Sequence, residues 1–76
     1  MTVKVGQIYA LPWTKTPIAV TDIQYTPKES FDWIYLVSSN GVQSRFWRKT
    51  IETLELLAEY PTWQEAVNSK EFKGEK

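Results

Sequence analysis

The sequence predicts a small α+β domain, mainly β, in which a four- to five-stranded antiparallel barrel or sheet precedes one C-terminal helix. The chain has 76 residues and is rich in rings, with four Trp, four Tyr and three Phe. An Asn-Gly pair separates two strand-like segments, and a helix-capping pattern, Thr62 followed by Glu65, comes after them. A chain of this length forms one domain, so residues 1–72 are predicted as a single unit and 73–76 as a frayed tail.

The first two strands follow from β-branched and aromatic residues. Residues 2–11 alternate loosely, and Gly6 among them marks a bulge or a close backbone approach. Residues 18–25, IAVTDIQY, predict the second strand because such side chains fit a pleated surface. The segment PWTKTP between the two strands is predicted to be a loop with prolines at both edges.

Residues 33–47 predict a β-hairpin that turns at its Asn-Gly pair. With a two-residue loop, Tyr35 pairs with Phe46 and both lie on the core face, whereas Trp47 lies on the opposite face. A bulged turn with one extra residue would shift this register and exchange the faces of one strand.

The C-terminal third predicts one strand and one helix. Residues 50–60 fit two templates, and the favoured interpretation is a helical turn over 50–53 followed by a strand over 54–60, with an all-helical segment as the alternative. A helix over 63–72 has an apolar side that needs a partner. The predicted partner is the hairpin face that carries Ile34, Leu36 and Trp47.

Composition argues against most kinds of active site. Cys and His are both absent, which removes disulfides, thiolate or imidazole metal ligands and the usual nucleophile-base pairs. Three carboxylates of the first half, Asp22, Glu29 and Asp32, are interpreted as solvated charges because no motif joins them. We therefore expect a protein that is not an enzyme and has no catalytic residue, metal or cofactor.

Charge and hydropathy limit the cellular locations and the binding partners that we expect for this protein. The longest apolar run, WIYLV, is far too short to cross a bilayer, so we expect a cytoplasmic protein without a membrane partner. Nine Lys and Arg balance nine Asp and Glu, which argues against holding duplex DNA by bulk charge. Residues 1–49 carry six basic and three acidic side chains and residues 50–76 the reverse, so the halves are expected to attract each other.

The segment SRFWRKT, residues 44–50, contains the first candidate binding surface. Arg45, Trp47 and Lys49 share a strand face, and together with Arg48 they could stack a base and hold the phosphates of single-stranded nucleic acid. The favoured interpretation is instead that Trp47 is buried beneath the C-terminal helix, with the cations paired to glutamates.

Trp13, in the loop PWTKTP, is the second candidate. A tryptophan on a proline-flanked loop can recognise a peptide, and it can equally fold back as a lid on a small core. The sequence leaves these two roles open.

Three segments, VKVGQIY, NGVQSRFW and YPTWQEAVNSKEF, resemble small proteins of unknown function encoded by phages and prophages of Gram-positive bacteria. The resemblance covers most of the chain and implies an SH3-like barrel in a phage-associated setting. No catalytic residue is carried across. The first functional prediction is therefore an interaction module for a protein partner, and the second is binding of single-stranded nucleic acid. A free strand edge could also pair with a second copy to form a homodimer.

Overall fold

The computed structural model describes residues 3–74 and consists of one five-stranded antiparallel sheet with short helices. The strands are β1 (Gln7–Ala10), β2 (Pro17–Gln24), β3 (Trp33–Ser38), β4 (Gln43–Trp47) and β5 (Glu55–Glu59). The helices are α1 (Arg48–Ile51), α2 (Trp63–Val67) and α3 (Lys70–Lys73), and a 3-10 helix, Glu29–Phe31, precedes β3. The strand order is β4-β3-β2-β1-β5, which confirms the predicted α+β, mainly β fold.

Two apolar clusters lie on opposite sides of the sheet. The inner cluster, which forms the main core, contains Val3, Tyr9, Ile18, Val20, Ile34, Leu36 and Ile51. The outer cluster lies beneath α2 and α3 and contains Ile8, Ala19, Ala66 and Phe72. The C-terminal helices therefore cover β1 and β2, and the prediction that they cover the Ile34, Leu36 and Trp47 face was wrong, because Ile34 and Leu36 point into the main core.

The β3–β4 hairpin turns through a three-residue loop, residues 39–41. The N–H of Gly41 donates to the carbonyl of Ser38 at 2.9 Å, the N–H of Ser38 donates to the carbonyl of Val42 at 2.8 Å, and Gly41 has a φ of 89°. This combination is a type I turn closed by a glycine bulge.

The extra loop residue moves the pairing by one position. Tyr35 pairs with Arg45, and Ile34 pairs with Phe46. The predicted pairing of Tyr35 with Phe46 was wrong, and the two faces of β3 are exchanged relative to the prediction. Phe46 itself packs against the main core, as predicted.

The segment after the hairpin forms a helical turn followed by a strand, which confirms the favoured interpretation of residues 50–60. The turn, α1, begins two residues earlier than predicted, at Arg48. Its last residue, Ile51, is fully buried in the main core, so α1 carries the chain across one end of the sheet to β5.

Gly6 lies where β1 approaches the end of β5. Its carbonyl accepts a hydrogen bond from the N–H of Tyr60 at 3.0 Å, and its φ is 95°. A Cβ at this position would lie 2.2 Å from the carbonyl oxygen of Tyr60. This confirms the predicted close approach, whereas the register shift of β1 falls between Ile8 and Tyr9.

The C-terminal helix begins as predicted but is divided in two. The hydroxyl of Thr62 accepts from the N–H of Glu65 at 3.2 Å and caps α2. Ser69 ends this helix by donating to the carbonyl of Ala66 at 2.6 Å, and it then caps α3 by accepting from the N–H of Phe72 at 3.2 Å. Lys73 of the predicted tail is the last residue of α3, and residues 75–76 lie outside the described part.

The cap gives a first test. Thr62→Ala is expected to lower the free energy of unfolding by about 1 kcal/mol, because the N–H of Glu65 loses its acceptor. Thr62→Ser keeps a hydroxyl and serves as the control. Urea denaturation measures both variants, and equal stability of Thr62→Ala and the parent protein would show that the cap does not support α2.

Candidate functional site

The outer face of β2, β3 and β4 carries three cross-strand rows of side chains. Pairing between these strands sets the rows as Gln24, Trp33 and Trp47, then Asp22, Tyr35 and Arg45, then Ala19, Val37 and Gln43. The helices α2 and α3 cover Ala19 in the third row. Trp47 remains 40% exposed and Arg45 is exposed, so the first two rows form an open surface.

Three rings cluster at one end of this surface. The ring centroids of Trp33 and Trp47 lie 5.8 Å apart with the planes tilted by 40°. The 3-10 helix before β3 places Phe31 edge-on to Trp47, with centroids 4.9 Å apart. Both spacings fall in the range that aromatic pairs prefer, so the rings form one packed group.

Cationic side chains surround the rings. The Cζ atom of Arg45 lies 4.2 Å from the centroid of Trp33, and Nζ of Lys49 lies 5.2 Å from that of Phe31 and 5.6 Å from that of Trp47. Nζ of Lys28 lies 5.7 Å from the Phe31 centroid. These contacts are cation–π interactions. We call this surface the aromatic–basic face; it consists of Lys28, Phe31, Trp33, Arg45, Trp47 and Lys49.

The exposure of Trp47 corrects the favoured prediction from the sequence, in which the C-terminal helix buries this ring. That helical segment packs on β1 and β2 and does not cover the indole, whose neighbours are Phe31, Trp33 and Lys49. Among the described residues, the predicted ion pairs of Arg45 and Lys49 with glutamates do not form. Within residues 3–74 the ion pair that forms joins Arg48 to Asp32.

Arg48 is buried behind the aromatic–basic face and does not belong to it. Its side chain is 4% exposed, and its Nε and Nη2 atoms each lie 3.1 Å from Oδ2 of Asp32. Its Nη1 donates to the carbonyl of Val3 at 3.3 Å. Asp32 is 1% exposed, so its interpretation as a solvated charge was wrong. Strand alternation places Arg48 on the same side as Phe46, which packs against the main core, so the inclusion of Arg48 in the candidate surface was wrong.

Asp32 also makes stability depend on pH. The N–H of Thr26 donates to Oδ1 of Asp32 at 2.7 Å, and this bond is the main cause that holds the pKa of the carboxyl below its usual value. Burial acts in the opposite direction, and Arg48 lowers the pKa further. A carboxyl with a lowered pKa stabilises the fold above its unfolded pKa of about 3.9, and this contribution is lost as the pH falls through the folded pKa.

We therefore expect the free energy of unfolding to decline below about pH 4, and to decline less steeply in Asp32→Asn. That variant is also less stable at neutral pH, because it leaves the charge of Arg48 buried without a counterion. Urea denaturation over an acid pH series measures both effects. Parallel acid-side curves for the two proteins would contradict the role of Asp32.

Trp13 lies apart from the aromatic–basic face, at the tip of the loop between β1 and β2. It is 93% exposed, so it does not form a lid on the core. The loop is closed by two backbone hydrogen bonds of 3.0 Å, from Lys15 to the carbonyl of Leu11 and from Leu11 to the carbonyl of Thr16. Lys15 adopts a φ of 59° to make this turn. The ring is therefore presented on an ordered loop.

Three residues of the aromatic–basic face are absent from the candidates that the sequence suggests: Lys28, Phe31 and Trp33. The predicted two-residue loop placed Trp33 on the core face together with Tyr35, whereas the observed register pairs it with Trp47 on the outer face. Phe31 and Lys28 precede β3 in a segment without strand or helix periodicity, and only the 3-10 helix brings Phe31 beside Trp47.

Within residues 3–74, no group of three or more carboxylates is placed to hold a metal ion. The helices in this part of the chain are all too short or too polar to cross a membrane. No protein-family model, curated protein or solved structure matches the chain.

Proposed function

We propose that this protein is a non-enzymatic binding module that holds single-stranded nucleic acid on its aromatic–basic face. The observation that carries the proposal is the exposed Trp47 within a group of rings that cations flank on several sides. Sequence-tolerant binding of single strands uses this combination, in which rings stack bases and cations contact phosphates.

Each part of the face has a role in this binding. The indole of Trp47 offers a stacking surface to one base. The guanidinium of Arg45 lies over the Trp33 ring. Its opposite face can stack on a base, since guanidinium groups stack on bases as aromatic rings do. Lys28 and Lys49 stand beside Phe31 and contact phosphates. Bases in a duplex are already stacked, so this face selects single strands.

A titration tests the proposal. Tryptophan fluorescence should be quenched by a single-stranded oligonucleotide at low salt and much less by the matching duplex. With Lys28 and Lys49 contacting phosphates, the logarithm of the binding constant should fall with the logarithm of salt concentration with a slope of about −1.4. No quenching at low salt, or equal binding of the duplex, would contradict the proposal.

A second candidate function, contact with a protein partner, is favoured by Trp13. Its ring is 93% exposed on a loop that backbone hydrogen bonds hold in shape. A preorganised aromatic anchor loses little entropy on binding, as at many interface hot spots. A pull-down from bacterial host lysate tests this contact. A protein that the Trp47→Ala variant still captures, and that the Trp13→Ala variant does not, would support it. The phage setting, the cytoplasmic location and the homodimer stay predictions from the sequence.

A further inference from the structure

A groove continues the aromatic–basic face toward α2. It has a volume of about 380 Å³, and its lining includes Thr21, Asp22, Tyr35, Val37, Gln43 and Trp63. Trp63, the first residue of α2, is 40% exposed and forms one wall. Tyr35 and Asp22 are cross-strand neighbours in the second row, so the floor of the groove is continuous with the row that carries Arg45.

Resting on the proposed function, we propose that this groove receives one base of the bound strand and selects guanine. The groove offers rings for stacking, from Tyr35 and Trp63, as single-strand binders do. Its acidic group is the carboxylate of Asp22, which only accepts hydrogen bonds. Guanine presents two adjacent donors, N1–H and the N2 amino group, on its Watson–Crick edge, so the two carboxylate oxygens match this edge.

The opposite charges of the groove and the aromatic–basic face determine which part of the ligand binds to each. A carboxylate in the groove repels phosphate, so the base enters the groove and the backbone stays with the cations of the aromatic–basic face. The Asp22 carboxylate is held in place because its Oδ1 accepts from the N–H of Ile23 at 2.9 Å. Gln43 also lines the groove, and its amide can donate to O6 of guanine.

The spacing along the strands fits a short piece of nucleic acid. Residues on one face of a strand lie about 7 Å apart, so the Trp33 row and the Val37 row are separated by about 13 Å. This separation is comparable to the length of two extended nucleotides. One base on Trp47 and another in the groove can therefore belong to the same strand.

The test compares four single-stranded DNA heptamers that differ only at the central base. The six flanking bases are thymine, and the central base is guanine, adenine, cytosine or thymine. We expect the guanine heptamer to bind about tenfold more tightly than the all-thymine heptamer, as a bidentate base contact provides. In Asp22→Asn this preference should disappear, because one carboxylate oxygen is replaced by an amide donor. Glu29→Gln, which removes an exposed carboxylate outside the groove, should keep the preference.

The outcomes separate the groove from the face. Equal affinity of the four heptamers, with binding that still requires Trp47, would overturn the guanine site and leave the proposed function standing. Loss of the preference in Glu29→Gln as well as Asp22→Asn would also overturn it, since the effect would then be one of general charge. Failure of all four heptamers to bind at low salt would remove the proposed function together with the site.

Discussion

Trp47→Ala is expected to weaken binding of a single-stranded oligonucleotide by about 5- to 150-fold, since a base stacked on an aromatic ring contributes about 1–3 kcal/mol. The indole is the exposed member of the ring group, so its removal leaves the base without its stacking surface. Fluorescence anisotropy of a labelled oligonucleotide at low salt measures the loss.

Trp13→Ala is the matched control, because it removes an equally large ring that lies outside the aromatic–basic face. This variant should bind the oligonucleotide as tightly as the parent protein. Thermal melting of both variants checks that each is folded at the temperature of the titration. Parent-like affinity of a folded Trp47→Ala protein would refute stacking on this ring.

Gly6→Ala is expected to destabilise the fold by about 2–4 kcal/mol and to lower the melting temperature by more than about 10 °C. Two effects combine at this position. The backbone φ of 95° is strained for a residue with a Cβ, and that Cβ would lie 2.2 Å from the carbonyl oxygen of Tyr60. Relief of this clash would separate β1 from the segment after β5. Thermal melting followed by circular dichroism measures the effect.

Gly41→Ala separates the two effects. Gly41 has nearly the same backbone angle, a φ of 89°, but a Cβ there would meet no atom within 4 Å. We expect this variant to lose only about 1 kcal/mol from the backbone conformation. Similar losses in Gly6→Ala and Gly41→Ala would mean that the contact with Tyr60 contributes nothing.

The sequence was sufficient for the order and type of most elements. Strand-like segments, the Asn-Gly pair and the Thr62 cap each act over a few residues, and local chemistry decides them. The length of the hairpin loop was harder to predict, because Asn-Gly is compatible with both a two-residue turn and a bulged turn. That single residue determined which side of β3 faces water, and so it determined the environment of Trp33.

The candidate site was predicted in part. Arg45, Trp47 and Lys49 do lie together, because strand alternation places Arg45 and Trp47 on one face and α1 brings Lys49 beside them. Arg48 was wrongly grouped with them, since alternation from Phe46 places it on the inner side of the sheet. The exposure of Trp47 depends on where α2 and α3 dock, and this contact between distant parts of the chain has no local pattern.

The buried pair of Asp32 and Arg48 acts as a brace behind the aromatic–basic face. Asp32 follows Phe31, and Arg48 stands between Trp47 and Lys49, so the pair fastens together the two segments that supply the face. Their main chains are also joined, since the N–H of Arg48 donates to the carbonyl of Asp32 at 2.9 Å. The aromatic–basic face is thus a preorganised platform, whose side chains are already in position before a ligand binds. Salt weakens contacts with phosphate but hardly reaches a buried pair, so acid, rather than ionic strength, is the solvent change that loosens the platform itself.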